Sequence, residues 1–124
     1  MKYAIQINHA PRPAISADSA YCFIQAAIQR GHDIIRVFFY HDGIHYASQW
    51  LPQAIAEPWS TLAAQHGIDL VICISAAQRR GLLDPRLDID ENGTDRGVAL
   101  GFRIAGLGLW VDACLRADRV MVFA

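Results

Sequence analysis

Two spacings of apolar residues alternate along this chain. Short runs rich in β-branched and aromatic residues are separated by stretches whose apolar positions recur at helical intervals. Lys2 to Asn8 reads as a first strand, Ile34 to Tyr40 as a second, Asp69 to Ile74 as a third and Arg119 to Phe123 as the last. Pro11 and Pro13 keep the loop after the first strand out of regular pairing. Ser16 is placed to cap a helix running to about Arg30, with Asp18 in its first turn and Gly31 closing it. His41-Asp42-Gly43 is turn chemistry, and a short helix near Tyr46 to Leu51 would be stopped by Pro52. Pro58 suits the first turn of a helix that reaches His66 and ends at Gly67. Ser75 to Arg80 is a short helix closed by Gly81, and Leu107 to Ala117 is the last long helix. Residues 84–101 hold Pro85, five acidic residues and three glycines and read as a long polar loop, a candidate lid or docking surface. Strands alternating with helices predict an α/β fold: a three-layer α/β/α arrangement, flavodoxin-like, with a mostly parallel sheet and one domain spanning 1–124.

Composition adds bounds to that picture. About half the residues (53%) are apolar, enough to fill one packed core. A formal net charge of −1 supplies no field to attract nucleic acid or an anionic membrane. Gln6, Asn8 and His9 break the first apolar run too early for a signal-peptide core, and no run approaches the roughly 20 apolar residues of a membrane span. The expected location is the cytoplasm, where Cys22, Cys73 and Cys114 stay reduced. An odd count of cysteines without C-x-x-C argues against a zinc knuckle or a thioredoxin-type motif.

The three cysteines differ by position. Leu107, Trp110, Val111 and Cys114 share a helical stripe, which makes Cys114 a small core hydrophobe. Cys22 falls nearly opposite the stripe of Ala20, Phe23, Ile24, Ala27 and Ile28, with nothing nearby in sequence to lower a thiol pKa. Cys73 sits at the carboxyl end of a strand, immediately before a short helix. Ligands of open α/β sheets bind outside the carboxyl ends of strands, and a helix start favours thiolate over thiol. Arg79 and Arg80 follow within two turns and add positive charge. Position alone is equally compatible with a buried cysteine that merely fills the strand.

Other constellations are weaker. Cys73 and Arg79 satisfy C-x5-R, the spacing of phosphatase loops, but the residues between them contain no glycine and favour helix over an anion cradle. His41 and His45 lie four apart with a turn between them and no further ligand pattern. The segment after the first strand lacks a glycine-rich phosphate loop, and residues 101–108 contain glycines without G-x-G-x-x-G. No cofactor and no metal site are expected.

Three segments together carry a resemblance. They are Arg36 to Gly43 (RVFFYHDG), Val71 to Gly81 (VICISAAQRRG), and Phe102 to Gly108 (FRIAGLG) followed by Val111-Asp112-Ala113 and Ala117 to Val120. The starts Ala4 to Asn8 and Asp18 to Tyr21 fit as well. In this order they resemble the DsrE family, the TusD/DsrE type of sulfurtransferase subunit. The resemblance implies a sulfur relay for 2-thiouridine at the tRNA wobble position: a TusA-like donor, TusB-like and TusC-like paralogues in a dimer of heterotrimers, and a TusE/DsrC-like acceptor. It places the active cysteine at Cys73, carrying a persulfide, with no direct nucleic-acid or membrane contact. Alternatives are a DsrE subunit of dissimilatory sulfur oxidation, a non-catalytic interaction subunit and a C-x5-R phosphatase. Trp50, Trp59 and Phe102 are the apolar residues expected to be exposed at an interface.

Overall fold

The computed structural model describes residues 1–82 and 98–124. Its elements are β1 (Lys2–Ile7), α1 (Ser19–Gln29), β2 (Asp33–Phe39), α2 (Gln53–His66), β3 (Leu70–Cys73), α3 (Ile74–Arg79), β4 (Phe102–Ala105), α4 (Gly108–Arg116) and β5 (Arg119–Phe123). The five strands form one sheet in the order β4-β3-β2-β1-β5, and every pairing between them is parallel. The α/β class and the layered arrangement follow the expectation. Of the predicted loop, Val98 to Gly101 is described and Val98 bridges Ser48; the part from 84 to 97 lies outside the described residues.

Strand pleating sorts side chains onto two faces. Tyr3 and Phe39 point to one, where Phe23 of α1 meets Tyr3 and Trp59 of α2 meets Phe39. Arg36 and Phe38 point to the other, where Trp110 of α4 packs against Phe38. The α1/α2 side holds an aromatic cluster in which Trp59 touches Tyr21, Phe39 and Tyr46, and Phe39 also touches Phe102. Trp59 and Phe102 are therefore core residues, and the expectation that they are exposed is corrected; Trp50 is 84% exposed as expected.

Local capping corrects other details. Asp18, not Ser16, caps α1, because its buried carboxylate accepts from the backbone N–H of Ala20 and Tyr21. Ile15–Ala17 form a 3-10 turn before it. Gly31 follows α1 at φ 82°, the left-handed conformation that a helix end favours for glycine. His41–Ala47 form a 3-10 stretch in place of a short helix near Tyr46 to Leu51. The α2 helix starts after Pro52, so Pro58 lies inside it and not in its first turn. β4 was not legible as a strand, since its four residues are flanked by glycines.

Across the α4 side runs a charged network. The buried Arg36 reaches Asp69 at 2.6 Å and Asp112 at 3.0 Å, and Arg103 reaches Asp69 at 2.8 Å. It ties β2, β4 and α4 to the residue that opens β3. Burial alone opposes ionisation of Asp69, but hydrogen bonds from Arg103 and then Arg36 outweigh it and hold the carboxyl below its usual value.

On α4 the inward residues are Leu109, Trp110 and Ala113, while Leu107, Val111 and Leu115 are exposed. The predicted stripe through Leu107, Trp110, Val111 and Cys114 is thus rotated from the one that packs, and Cys114 is only partly buried. Val120 and Val122 of the edge strand β5 are also exposed, on the sheet face that α4 covers elsewhere.

Two outcomes test this fold. Because folding lowers the pKa of Asp69, the network stabilises the chain above the ordinary value of 3.8 and loses that contribution as pH falls through the lowered one. Asp69→Asn is expected to flatten the acid limb of stability against pH, measured by denaturant midpoints. At Gly43 a Cβ would overlap the carbonyl oxygen of Ile7, whereas at Gly106 it would meet nothing within 4 Å among the described residues. Gly43→Ala is expected to cost about 3 kcal/mol by chemical denaturation and Gly106→Ala under about 1 kcal/mol.

Candidate active site

Cys73 is the last residue of β3 and the N-cap of α3, still extended at φ −70°, ψ 120°. Register places its neighbours. Phe39 pairs with Ile72, so Tyr40 stands beside Cys73 on one side, and Ala105 pairs with Cys73 on the other. Ile7 pairs with Phe39, so Asn8 stands beside Tyr40. Ala105, Cys73, Tyr40 and Asn8 thus make one row along the carboxyl edge, on the face that carries Phe38 and α4.

This edge is where connections part. The helix following β2 packs on one face and the helix following β4 packs on the other. An open α/β sheet binds ligands outside the carboxyl ends of its strands. β3 lies between these two strands, with Cys73 at its end. α3 starts at the next residue, and α4 starts three residues after Ala105, the partner of Cys73. The start of α3, with the partial positive charge of a helix N-terminus, therefore follows Cys73 directly, while at α4 the N–H of Leu109 is already bonded to the carbonyl of Gly106.

The sulfur itself is covered. Cys73 is 1% exposed, so the thiol is not open to solvent from the single chain. Cys22 is exposed on α1, its thiol directed at the carbonyls of Ile15 and Ser16. Cys114 is partly buried, and burial raises its thiol pKa. Neither stands at the carboxyl edge of an interior strand.

The arginines after Cys73 are engaged differently than their spacing suggests. Arg80 pairs with Asp42 at 3.1 Å, tying the end of α3 to the 3-10 stretch after β2. Arg79 is exposed in the last turn of α3. Because residues 74–79 are α-helical, they do not curve into an anion cradle, and the C-x5-R spacing carries no phosphatase geometry. His41 and His45 both lie in the 3-10 stretch, and among the described residues no group of three or more His, Cys, Asp or Glu is set to hold a metal ion.

Sequence reading did not single out a second polar cluster at this edge. Asp18 accepts a hydrogen bond from the Tyr46 hydroxyl as well as its two capping bonds. Burial, and then the Asp18 carboxylate, push the Tyr46 phenol well above its ordinary value and keep it a neutral donor. His9 sits beside the same hydroxyl, its Nδ1 3.4 Å from Tyr46 Oη and 2.9 Å from the carbonyl of Ala10. Nothing in local spacing links residues 9, 18 and 46; the network locks the loop after β1 onto the 3-10 stretch. Nearby, Pro11, His45, Trp50 and Arg80 border an open cavity of about 460 Å³.

Fold and edge together define a parallel α/β protein with a thiol at the ligand-binding end of an interior strand. Residues 1–123 match the model of the DsrE/DsrF-like family, and the chain belongs to that family. It is 45% identical to a candidate sulfurtransferase named DsrE from Allochromatium vinosum, covering 99% of this chain and 98% of that protein. It is 36% identical to sulfurtransferase TusD from Salmonella arizonae, covering 99% of this chain and all of that protein (100%). The crystal structure of the ychN protein from E. coli shares the fold, with a TM-score of 0.72 at 22% identity over 98% of both chains.

Burial sets an order of reactivity among the cysteines. With a bulky maleimide in native buffer, Cys22 is expected to label first, Cys114 more slowly and Cys73 only on unfolding, as read by peptide mass spectrometry.

Proposed function

We propose that this chain is a sulfurtransferase subunit of a sulfur relay, carrying sulfur as a persulfide on Cys73. The observation that carries the reading is the position of Cys73: of the three cysteines, it stands at the end of an interior strand, in a family whose relatives bear sulfurtransferase names. The Cys73 thiolate attacks the outer sulfur of a donor persulfide and forms a new S–S bond. The donor's own S–S bond breaks and its inner sulfur leaves as thiolate. In the second step an acceptor thiolate attacks the outer sulfur on Cys73, and the electron pair of the breaking bond returns to Cys73 Sγ. Neither step requires an external oxidant or a cofactor.

The chain acts in this reading as one domain, 1–124, in the cytoplasm. Its donor is TusA-like, its acceptor TusE/DsrC-like, and its assembly partners are TusB-like and TusC-like paralogues, with the tRNA wobble 2-thiouridine as the sulfur's destination. Because the sulfur is covered in the single chain, donor and acceptor must open the edge around Cys73 as they dock. A second destination, sulfur oxidation by a DsrE-type assembly, is favoured by the greater identity to the Allochromatium protein, 45% against 36%. Loss of wobble 2-thiouridine in a deletion strain, read by nucleoside mass spectrometry, separates the first destination from the second.

Treatment with a protein persulfide donor is expected to add about 32 Da (roughly one sulfur, as exchange chemistry requires) to the Cys73 peptide. Cys73→Ser abolishes that addition, and Cys114→Ser leaves it intact. Normal relay by Cys73→Ser would instead make the chain a non-catalytic interaction subunit.

A further inference from the structure

Tyr40 occupies the position next to Cys73 in the lateral row, one strand away and on the same face. Adjacent strands of a sheet lie about 4.8 Å apart. The Tyr40 ring is stacked with that of Phe38, centroids 6.3 Å apart and 25° between planes, so both side chains project to the α4 side. The backbone around it is pinned: Tyr40 N–H donates to the carbonyl of Ile7 at 2.9 Å, and Tyr40 C=O accepts from Gly43 N–H at 2.8 Å. The next residue, His41, sits at φ 48°, the one non-glycine residue with positive φ among those described, and its ring meets the Tyr40 ring edge-on. A strained residue held in place beside a reactive group is a common mark of a working site. On Tyr40's other side, the buried Oδ1 of Asn8 has no hydrogen-bond partner among the described residues. Beyond Ala105, a Cβ at Gly106 or Gly108 would meet nothing within 4 Å among the described residues.

A cysteine side chain is short and a tyrosine's is long, so on neighbouring strands the hydroxyl stands farther from the sheet than Sγ. A persulfide adds a second sulfur about 2.05 Å beyond the first and raises the reacting atom toward the level of the ring. We propose that the Tyr40 hydroxyl is a catalytic group of the relay, donating a hydrogen bond to the outer sulfur of the Cys73 persulfide. The inference rests on the reading of Cys73 as the sulfur carrier and goes beyond it in naming the group that handles the transferred atom. The hydroxyl draws negative charge off the outer sulfur, so an incoming anion meets less repulsion. That anion bonds to the outer sulfur, the S–S bond breaks, and the electron pair leaves on Cys73 Sγ. The Tyr40 proton stays on its oxygen throughout.

The test compares the parent chain with Tyr40→Phe, which keeps the ring against Phe38 and His41. Both are loaded with inorganic polysulfide and then discharged with cyanide, a small anionic acceptor that leaves as thiocyanate. Loading is read as the mass added to the Cys73 peptide, and discharge as thiocyanate released in a single turnover. Alkylation of the unloaded Cys73 thiol by iodoacetamide is measured in parallel. The expected result is an equal end point of loading at saturating polysulfide, equal alkylation of the bare thiol, and discharge about tenfold slower in Tyr40→Phe, the scale of one hydrogen bond to a charged group. Equal discharge rates would overturn the assignment. So would a parallel change in bare-thiol alkylation, which marks a packing role. A parent chain that gains sulfur at Cys73 from neither polysulfide nor a protein persulfide donor sinks the carrier reading itself, a result distinct from both.

Discussion

The site depends on β3 being hydrogen-bonded along both edges. Leu70 to Ile72 pair with β2 on one side, all four residues pair with β4 on the other, and all four are buried. A strand held in this way cannot shift by one residue without sending its side chains to the wrong face, because pleating alternates them. That restraint is what turns position 73 from a residue in a run of aliphatics into a fixed point in the row of Ala105, Tyr40 and Asn8. It also fixes the start of α3 immediately after Cys73, which is that helix's N-cap.

Opposite this edge, at the amino end of β3, the Arg36–Asp69–Arg103 network performs a complementary task. A buried guanidinium is costly unless its donors are paired, and Arg36 is bonded to Asp69, Asp112 and the carbonyl of Leu109. The arrangement specifies which way α4 lies across the sheet, because sliding the helix would strand the charge. Polar specification at one end of β3 thus supports placement of a sulfur at the other.

Much of this was legible in the chain, and the reasons for the exceptions are physical. The first, second, third and last strands announce themselves through β-branched and aromatic runs. β4 does not, because Phe102 to Ala105 is short, contains Arg103 and is enclosed by glycines; its extended form comes from pairing with β3. Trp59 follows Glu57 and Pro58 and Phe102 follows Gly101, which suggests surface, yet both close the aromatic cluster with Phe39. The position of Cys73 at a strand end was readable from residues 69–81 alone. Its cover was not, since burial is set by elements distant in sequence. On α4 the apolar residues lie on nearly every side, so periodicity carries little information about which side packs.

That last property has a physical consequence for the molecule in solution. Leu107, Val111, Leu115, Val120 and Val122 leave aliphatic groups in water on one side of the chain, Leu115 at 81% exposure. Hydration of such surface raises heat capacity, and excluded salts such as sulfate drive it out of water. Association that covers this side therefore carries a negative heat-capacity change and tightens on moderate warming. The chain alone is accordingly most soluble when cool and at low concentrations of salting-out anions.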